Sequence, residues 1–171
     1  LSRARCCALD LRHEPKGTLL TMPQTIGVCA IQGDFEKHIA ALHRLKGVTP
    51  IEVRTPEDLN LADKLILPGG ESTTVSLLMQ RFGLAQAIQA RSQAGMPIWC
   101  TCMGMILLAR SIMGRPKQWT LNLLDIEVER NAFGAQVHSF EDEIVLSDKK
   151  LSIPAVFIRA PVVRSVGSSV E

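Results

Sequence analysis

Short apolar runs alternate with amphipathic stretches along most of this chain, and the alternation predicts strands and helices in turn. Apolar runs predict strands over 25–31, 51–54, 65–67, 97–100, 123–130, 143–146 and 155–159. Apolar residues at helical spacing predict helices over 35–46, 73–81, 84–93 and 104–111. Repeated β-α-β units imply a doubly wound α/β fold, in which a mainly parallel sheet carries helices on both faces.

One predicted strand runs into a cysteine. Residues 97–109 read PIWCTCMGMILLA, so an apolar strand, a sharp turn at Cys102 and a helix follow one another. Such an elbow exposes a nucleophile, and the N–H groups at the helix start lower a thiol pKa and can stabilise an oxyanion. Taken alone, the segment fits a buried structural cysteine equally well.

A second predicted strand ends at two glycines, because residues 65–74 read LILPGGESTT. Paired glycines let a backbone pass close to a ligand and present N–H groups, although Pro-Gly-Gly alone is typical of any turn. Ligands of parallel sheets bind at the carboxyl ends of strands. Cys102, Gly70 and the loop of Gln32 and Gly33 all fall at such ends.

Composition narrows the possible functions. The 171 residues are 46% hydrophobic, enough for one domain with a core, and the formal charge of +2 includes no basic stripe, so nucleic-acid binding has little support. No apolar run is long enough for a transmembrane helix. Five cysteines without a Cys-x-x-Cys pair favour a reducing, cytoplasmic location and no metal site.

The elbow and the glycine loop together resemble the class I (triad) glutamine amidotransferases, which have a flavodoxin-like fold. Four segments narrow the resemblance to the glutaminase subunits of pyridoxal 5'-phosphate synthase: IGVCAIQGD at 26–34, PGGESTT at 68–74, VERNAFG at 128–134 and VFIRAP at 156–161. The resemblance covers 25–171.

The resemblance implies a role for Cys102, which would attack the side-chain amide of L-glutamine and form a thioester. It implies that Gly70, Glu71 and Ser72 form the glutamine-binding loop, with Glu71 bound to the α-amino group. The alternative interpretation of Glu71 is an acid at a helix N-terminus, where the helix dipole favours a negative charge.

Further roles come from the same resemblance. Arg130 and the pair Ile158 and Arg159 match substrate contacts. Gln32 and Gly33 match a loop beside the oxyanion hole that responds to docking of the (β/α)₈ synthase subunit, the partner that receives ammonia. The resemblance implies no metal or cofactor in this subunit.

The chain departs from the family pattern at several places. Cys100 stands where the family usually has glycine, and His138, which we interpret as a surface residue, stands where it commonly has an acid. The sequence contains no His-Pro-Glu segment, which holds the family's catalytic histidine and glutamate.

We therefore expect a C-terminally truncated domain over 25–171 that lacks the last strands and helix, after a disordered or wrongly assigned extension over 1–24. A chain that ended at Glu171 would be nearly inactive and prone to aggregation.

The predicted function is hydrolysis of glutamine to supply ammonia for vitamin B6 biosynthesis. Two alternatives stay open: the glutaminase of another amidotransferase, and a non-catalytic subunit that binds and regulates the synthase.

Overall fold

The computed structural model describes residues 22–132, 139–146 and 151–170. Its strands are β1 (Gln24–Cys29), β2 (Val48–Val53), β3 (Lys64–Leu67), β4 (Ile98–Cys100), β5 (Ala109–Ile112), β6 (Leu124–Glu129), β7 (Phe140–Leu146), β8 (Leu151–Phe157) and β9 (Val162–Val166). Its helices are α1 (Phe35–Leu42), α2 (Pro56–Asn60), α3 (Ser72–Arg81), α4 (Leu84–Gln93) and α5 (Met103–Leu108).

The strands form three sheets. The largest has the order β2-β1-β3-β4, and all of its pairings are parallel. A second sheet has the order β5-β6-β9, in which β5 and β6 are parallel and β9 is antiparallel to β6. The strands β7 and β8 form an antiparallel hairpin.

Helices cover both faces of the four-stranded sheet, as the alternation of strand side chains requires. Cys29, Leu65 and Leu67 point into a core cluster that α3, α4 and α5 complete. Val28 and Ile66 point to the opposite face and pack with α1. The predicted doubly wound α/β arrangement is therefore present.

Two predicted helices were too long. The first ends at Leu42, because the N–H groups of Arg44 and Leu45 bond to carbonyls three residues back and tighten the chain into turns. The predicted helix over 104–111 was wrong beyond Leu108. Ala109 takes an extended ψ of 150° and begins β5, whose partner is β6.

Besides β5, two elements were not predicted from the sequence. The helix α2 is only five residues long, and it is fixed by a capping box between Thr55 and Asp58. The strand β9 lies in 162–166 and pairs with β6. Residues 1–21 and His138 lie outside the described residues, so the predictions about them stay predictions.

No helix of the described residues has the length and apolar character needed to cross a membrane.

Candidate active site

Cys102 lies at a strained elbow between β4 and α5. Its φ of 47° and ψ of −106° are unusual for a residue with a side chain. The elbow is tight because α5 packs directly on β3: a β-carbon added to Gly104 would lie 2.2 Å from the carbonyl oxygen of Leu67. The predicted strand-turn-helix at the cysteine is therefore present, and Cys102 is exposed at its tip.

The sulfur of Cys102 faces two backbone donors. The N–H groups of Met103 and Gly70 act as donors toward it and favour its thiolate form. Although the residue as a whole is exposed, partial desolvation of the sulfur raises the pKa of the Cys102 thiol above its ordinary value, and the two backbone donors offset that effect only in part. The backbone N–H groups lower the thiol pKa, as expected for the elbow, but desolvation outweighs them and the net shift of the pKa is upward.

The buried thiol of Cys29 provides a contrast. This residue ends β1 and is 1% exposed, and burial raises its pKa to about 11. Such a thiol stays protonated and unreactive near neutral pH. Cys29 also has a backbone donor, from Ile31, so it is the exposure of Cys102 that distinguishes the elbow from an ordinary core cysteine.

The two glycine loops predicted at strand ends are in contact. The N–H of Asp34 donates to the carbonyl oxygen of Gly69 at 3.0 Å, and the N–H of Glu71 donates to Oε1 of Gln32 at 2.9 Å. Gly33 has a φ of +114°, and a β-carbon there would lie 2.0 Å from the oxygen of Gly69. The loops approach so closely only because this position is glycine.

Glu71 caps a helix and pairs with an arginine. Its Oε2 accepts from the N–H of Thr74 at 2.8 Å and so caps α3, while its Oε1 pairs with Nη2 of Arg130 at 2.9 Å. Desolvation raises the pKa of the Glu71 carboxyl, but the bonds from Thr74 and the charge of Arg130 outweigh it and leave the pKa below its usual value. The carboxylate is therefore ionised at neutral pH.

Sequence reasoning missed Gln118. Its Oε1 accepts from Nη1 of Arg130 at 2.5 Å, and its Nε2 donates to Oγ of Ser72 at 3.0 Å. Arg130 also donates to Oγ1 of Thr73 at 3.1 Å. No local pattern marks a lone glutamine in a loop, so only the fold could reveal this contact.

The predicted pair Ile158 and Arg159 follows β8. Ile158 is half exposed, and Arg159 has a left-handed φ of 47°. Within the described ranges, no hydrogen bond or ion pair joins Arg159 to Glu71 or Arg130. The structure thus brings together the residues of the two glycine loops, Cys102 and Arg130.

The described histidines are not partners of the thiol. His38 packs edge-to-face on Trp99, with ring centroids 5.5 Å apart, and burial lowers its pKa. No histidine in the described part of the chain hydrogen-bonds to Cys102. Cys100 packs against the core cluster on the α3–α5 face, as a structural residue would.

Comparison with protein families gives one match. A family model described as the SNO glutamine amidotransferase family matches residues 28–171. The matched range includes every strand and helix of the structure except the first four residues of β1.

Similar proteins bear the name pyridoxal 5'-phosphate synthase subunit PdxT. The protein of Herpetosiphon aurantiacus is 51% identical over 152 residues, which cover 86% of this chain and 78% of the relative. That of Nocardioides sp. is 50% identical over 153 residues, with 89% and 76% covered. That of Tropheryma whipplei is 44% identical over 147 residues, with 86% and 77% covered.

A solved structure described as a glutamine amidotransferase has the same fold. It is 45% identical in sequence and superposes with a TM-score of 0.78. The match covers 84% of this chain and 75% of that chain.

Proposed function

The chain belongs to the SNO glutamine amidotransferase family, and from that membership we propose that it hydrolyses L-glutamine to glutamate and ammonia through a thioester on Cys102. The observation that carries the proposal is the pair of backbone N–H groups, from Gly70 and Met103, at the Cys102 sulfur. A nucleophile and two donors at one point are what acyl transfer from an amide requires.

In the proposed reaction, the Cys102 sulfur forms a bond to the side-chain carbonyl carbon of glutamine. The carbonyl oxygen becomes negatively charged and is stabilised by the N–H groups of Gly70 and Met103. The carbon–nitrogen bond then breaks, and nitrogen leaves as ammonia with the proton that the thiol gave up. Water hydrolyses the thioester and releases glutamate.

The charged pair beside the elbow suits the rest of the substrate. Glu71 follows Gly70 directly in the chain, and its carboxylate pairs with Arg130. Glutamine carries an α-ammonium and an α-carboxylate, and Glu71 and Arg130 offer the opposite charges. We therefore assign the α-ammonium group of glutamine to Glu71, which lies in the proposed binding loop of Gly70, Glu71 and Ser72. We assign the α-carboxylate to Arg130.

Ile158 and Arg159 remain proposed substrate contacts. The left-handed φ of Arg159 in a residue other than glycine is a conformation that functional sites often retain.

We also propose a partner for the released ammonia. Relatives at 44–51% identity are named as subunits of pyridoxal 5'-phosphate synthase, so the ammonia would pass to a (β/α)₈ synthase subunit in the cytoplasm. Gln32 and Gly33 contact the glycine loop of the site, and this contact would link partner docking to the oxyanion donors. The same names give no support to the glutaminase of another amidotransferase.

The test is covalent labelling with the diazoketone analogue of L-glutamine, followed by peptide mapping. Cys102 should be modified while Cys29 and Cys100 are not, and free L-glutamine should protect it. Cys102→Ala should abolish the labelling, whereas the control Cys100→Ala should leave it intact. Labelling that L-glutamine does not slow would contradict the proposal.

One set of observations favours a second function, a non-catalytic subunit that binds the synthase. The thiol pKa of Cys102 is raised, and the described residues provide it with no histidine base. Ammonia release from L-glutamine in the presence of the synthase separates the two functions. Selective labelling without ammonia release would identify a binding module.

A further inference from the structure

The loop between β5 and β6 crosses over the start of α3. A cleft of about 610 Å³ opens there, and Gln118 on the loop faces Thr73 on the helix across it. The loop is anchored at both ends: the N–H of Arg115 donates to the oxygen of Ile112 at 3.1 Å, and the N–H of Leu121 donates to the oxygen of Leu107 at 2.7 Å. Gln118 is therefore presented from a fixed backbone.

The orientation of the Gln118 amide follows from its neighbours. A guanidinium group has only donors, so the amide oxygen must face Arg130 and the amide nitrogen must face the Ser72 oxygen. Ser72 is 1% exposed. The amide thus joins a buried hydroxyl at the start of α3 to the arginine at the end of β6.

These bonds fix the plane of the guanidinium. Both hydrogens of Nη1 are used, one on Gln118 and one on Thr73, and Nη2 is left on the side of Glu71. The Arg130 side chain is only 14% exposed, whereas that of Glu71 is 48% exposed. The guanidinium is therefore held at Nη1 by Gln118 and Thr73 and at Nη2 by Glu71, and the second hydrogen of Nη2 and the Nε–H are the donors that these bonds leave for a ligand.

We propose that Gln118 is a positioning residue that orients Arg130 to bind the α-carboxylate of glutamine. The inference rests on the proposed function, because it assumes that Arg130 binds this carboxylate. Gln118 itself does not touch the substrate or the reacting atoms. It reduces the loss of side-chain conformational entropy when Arg130 binds the carboxylate, because the guanidinium is already fixed in the free protein.

The test measures labelling of Cys102 in the whole protein by two reagents, the diazoketone analogue of L-glutamine and iodoacetamide. Only the analogue carries an α-carboxylate. Gln118→Met keeps the length of the side chain and removes both hydrogen bonds. It should slow labelling by the analogue about tenfold or more, the effect of losing a hydrogen bond to a charged group, and leave the iodoacetamide rate unchanged.

Two further variants test whether the oxygen of Gln118 that accepts the hydrogen bond from Arg130 is the group that matters. Gln118→Glu keeps an oxygen toward Arg130, and the hydroxyl of Ser72 can donate to it, so this variant should recover most of the lost rate. Gln118→Asn keeps the amide but is one methylene too short to reach both partners, so it should resemble Gln118→Met and replaces it if that variant fails to fold.

Gln80→Leu is the matched control. Gln80 lines the same cleft, but its Nε2 donates to the carbonyl oxygen of Ser76 within α3 and, among the described residues, to no group of the Arg130 cluster. This variant should match the unmodified protein with both reagents.

Three results would overturn the inference. Equal slowing by both reagents would show that Gln118 supports the elbow in general. An unchanged analogue rate in Gln118→Met and Gln118→Asn would show that Arg130 needs no support. If the unmodified protein itself shows no labelling that L-glutamine slows, the proposed function fails, and this inference fails with it.

Discussion

The four-stranded sheet and the β7–β8 hairpin differ in how far their side chains are buried. In the sheet, Val28 and Leu67 are fully buried, and helices cover both faces. In the hairpin, Val145 is 65% exposed and Val156 is 63% exposed. The hairpin is ordered by a seven-pair backbone ladder and by the stack of Phe140 on Phe157, whose ring centroids are 4.7 Å apart.

This difference in packing explains which proposed site residues are held in contact with one another. Cys102, Gly70 and Gln32 follow strands of the buried sheet, where packing on both faces leaves their loops little freedom. Ile158 and Arg159 follow the hairpin, whose side chains are mostly exposed. A precise site therefore forms at the end of the sheet, and the hairpin residues are held by weaker constraints.

The largest expected effect comes from replacing a leucine by alanine, and we compare this substitution in the sheet and in the hairpin. Leu67→Ala removes a fully buried side chain from β3 and should lower the free energy of unfolding by about 3 kcal/mol. Leu151→Ala, at a residue of the hairpin that is 49% exposed, should cost less than about 1 kcal/mol. Denaturant unfolding measures both, and equal losses would show that the hairpin is packed as tightly as the sheet.

A smaller effect tests the close contact of α5 with β3. Gly104→Ala places a β-carbon 2.2 Å from the carbonyl oxygen of Leu67, so the helix must move away. Such overpacking should cost about 2 kcal/mol, even after the gain in helix propensity. Thermal unfolding of this variant should be compared with that of Gly69→Ala, whose added carbon would lie 3.6 Å from Cβ of Cys102, an ordinary contact.

The smallest effect concerns the carboxylate that caps α3. Glu71→Gln should lower the free energy of unfolding by about 0.5–1 kcal/mol at neutral pH, because the charge opposite Arg130 and part of the cap are lost. The Glu71 side chain is about half exposed, so solvent screening keeps this contribution small.

The pH dependence of that difference checks its origin. The pKa of Glu71 is lower in the folded protein than the ordinary value of 4.5, so ionised Glu71 stabilises the fold above that pH. The stabilisation is lost as the pH falls through the folded pKa. The gap between the unmodified protein and Glu71→Gln should therefore close in acid, and a gap that persists there would assign the effect to packing.

Much of the fold followed from local pattern. The strands β1, β3 and β4 were predicted within two residues at each end, because buried parallel strands are short apolar runs between turns. The predicted class I glutamine amidotransferase fold is confirmed by the family match and by the solved relative. The hydrophobic pattern gave the wrong prediction after Leu108, because an apolar run there fits a helix and a strand equally well. The pairing of β5 with β6 decides for the strand.

The sequence by itself determined the alternation of strands and helices, the elbow at Cys102 and the glycines of the two loops, because these depend on side-chain period and backbone freedom over a few residues. Tertiary structure alone decided the direction of the thiol pKa shift, since desolvation depends on neighbours far along the chain. It also decided the link from Gln118 to Ser72 and Arg130. That link joins the start of α3, the loop between β5 and β6 and the residue after β6, which lie up to 58 positions apart, a spacing that no local pattern encodes.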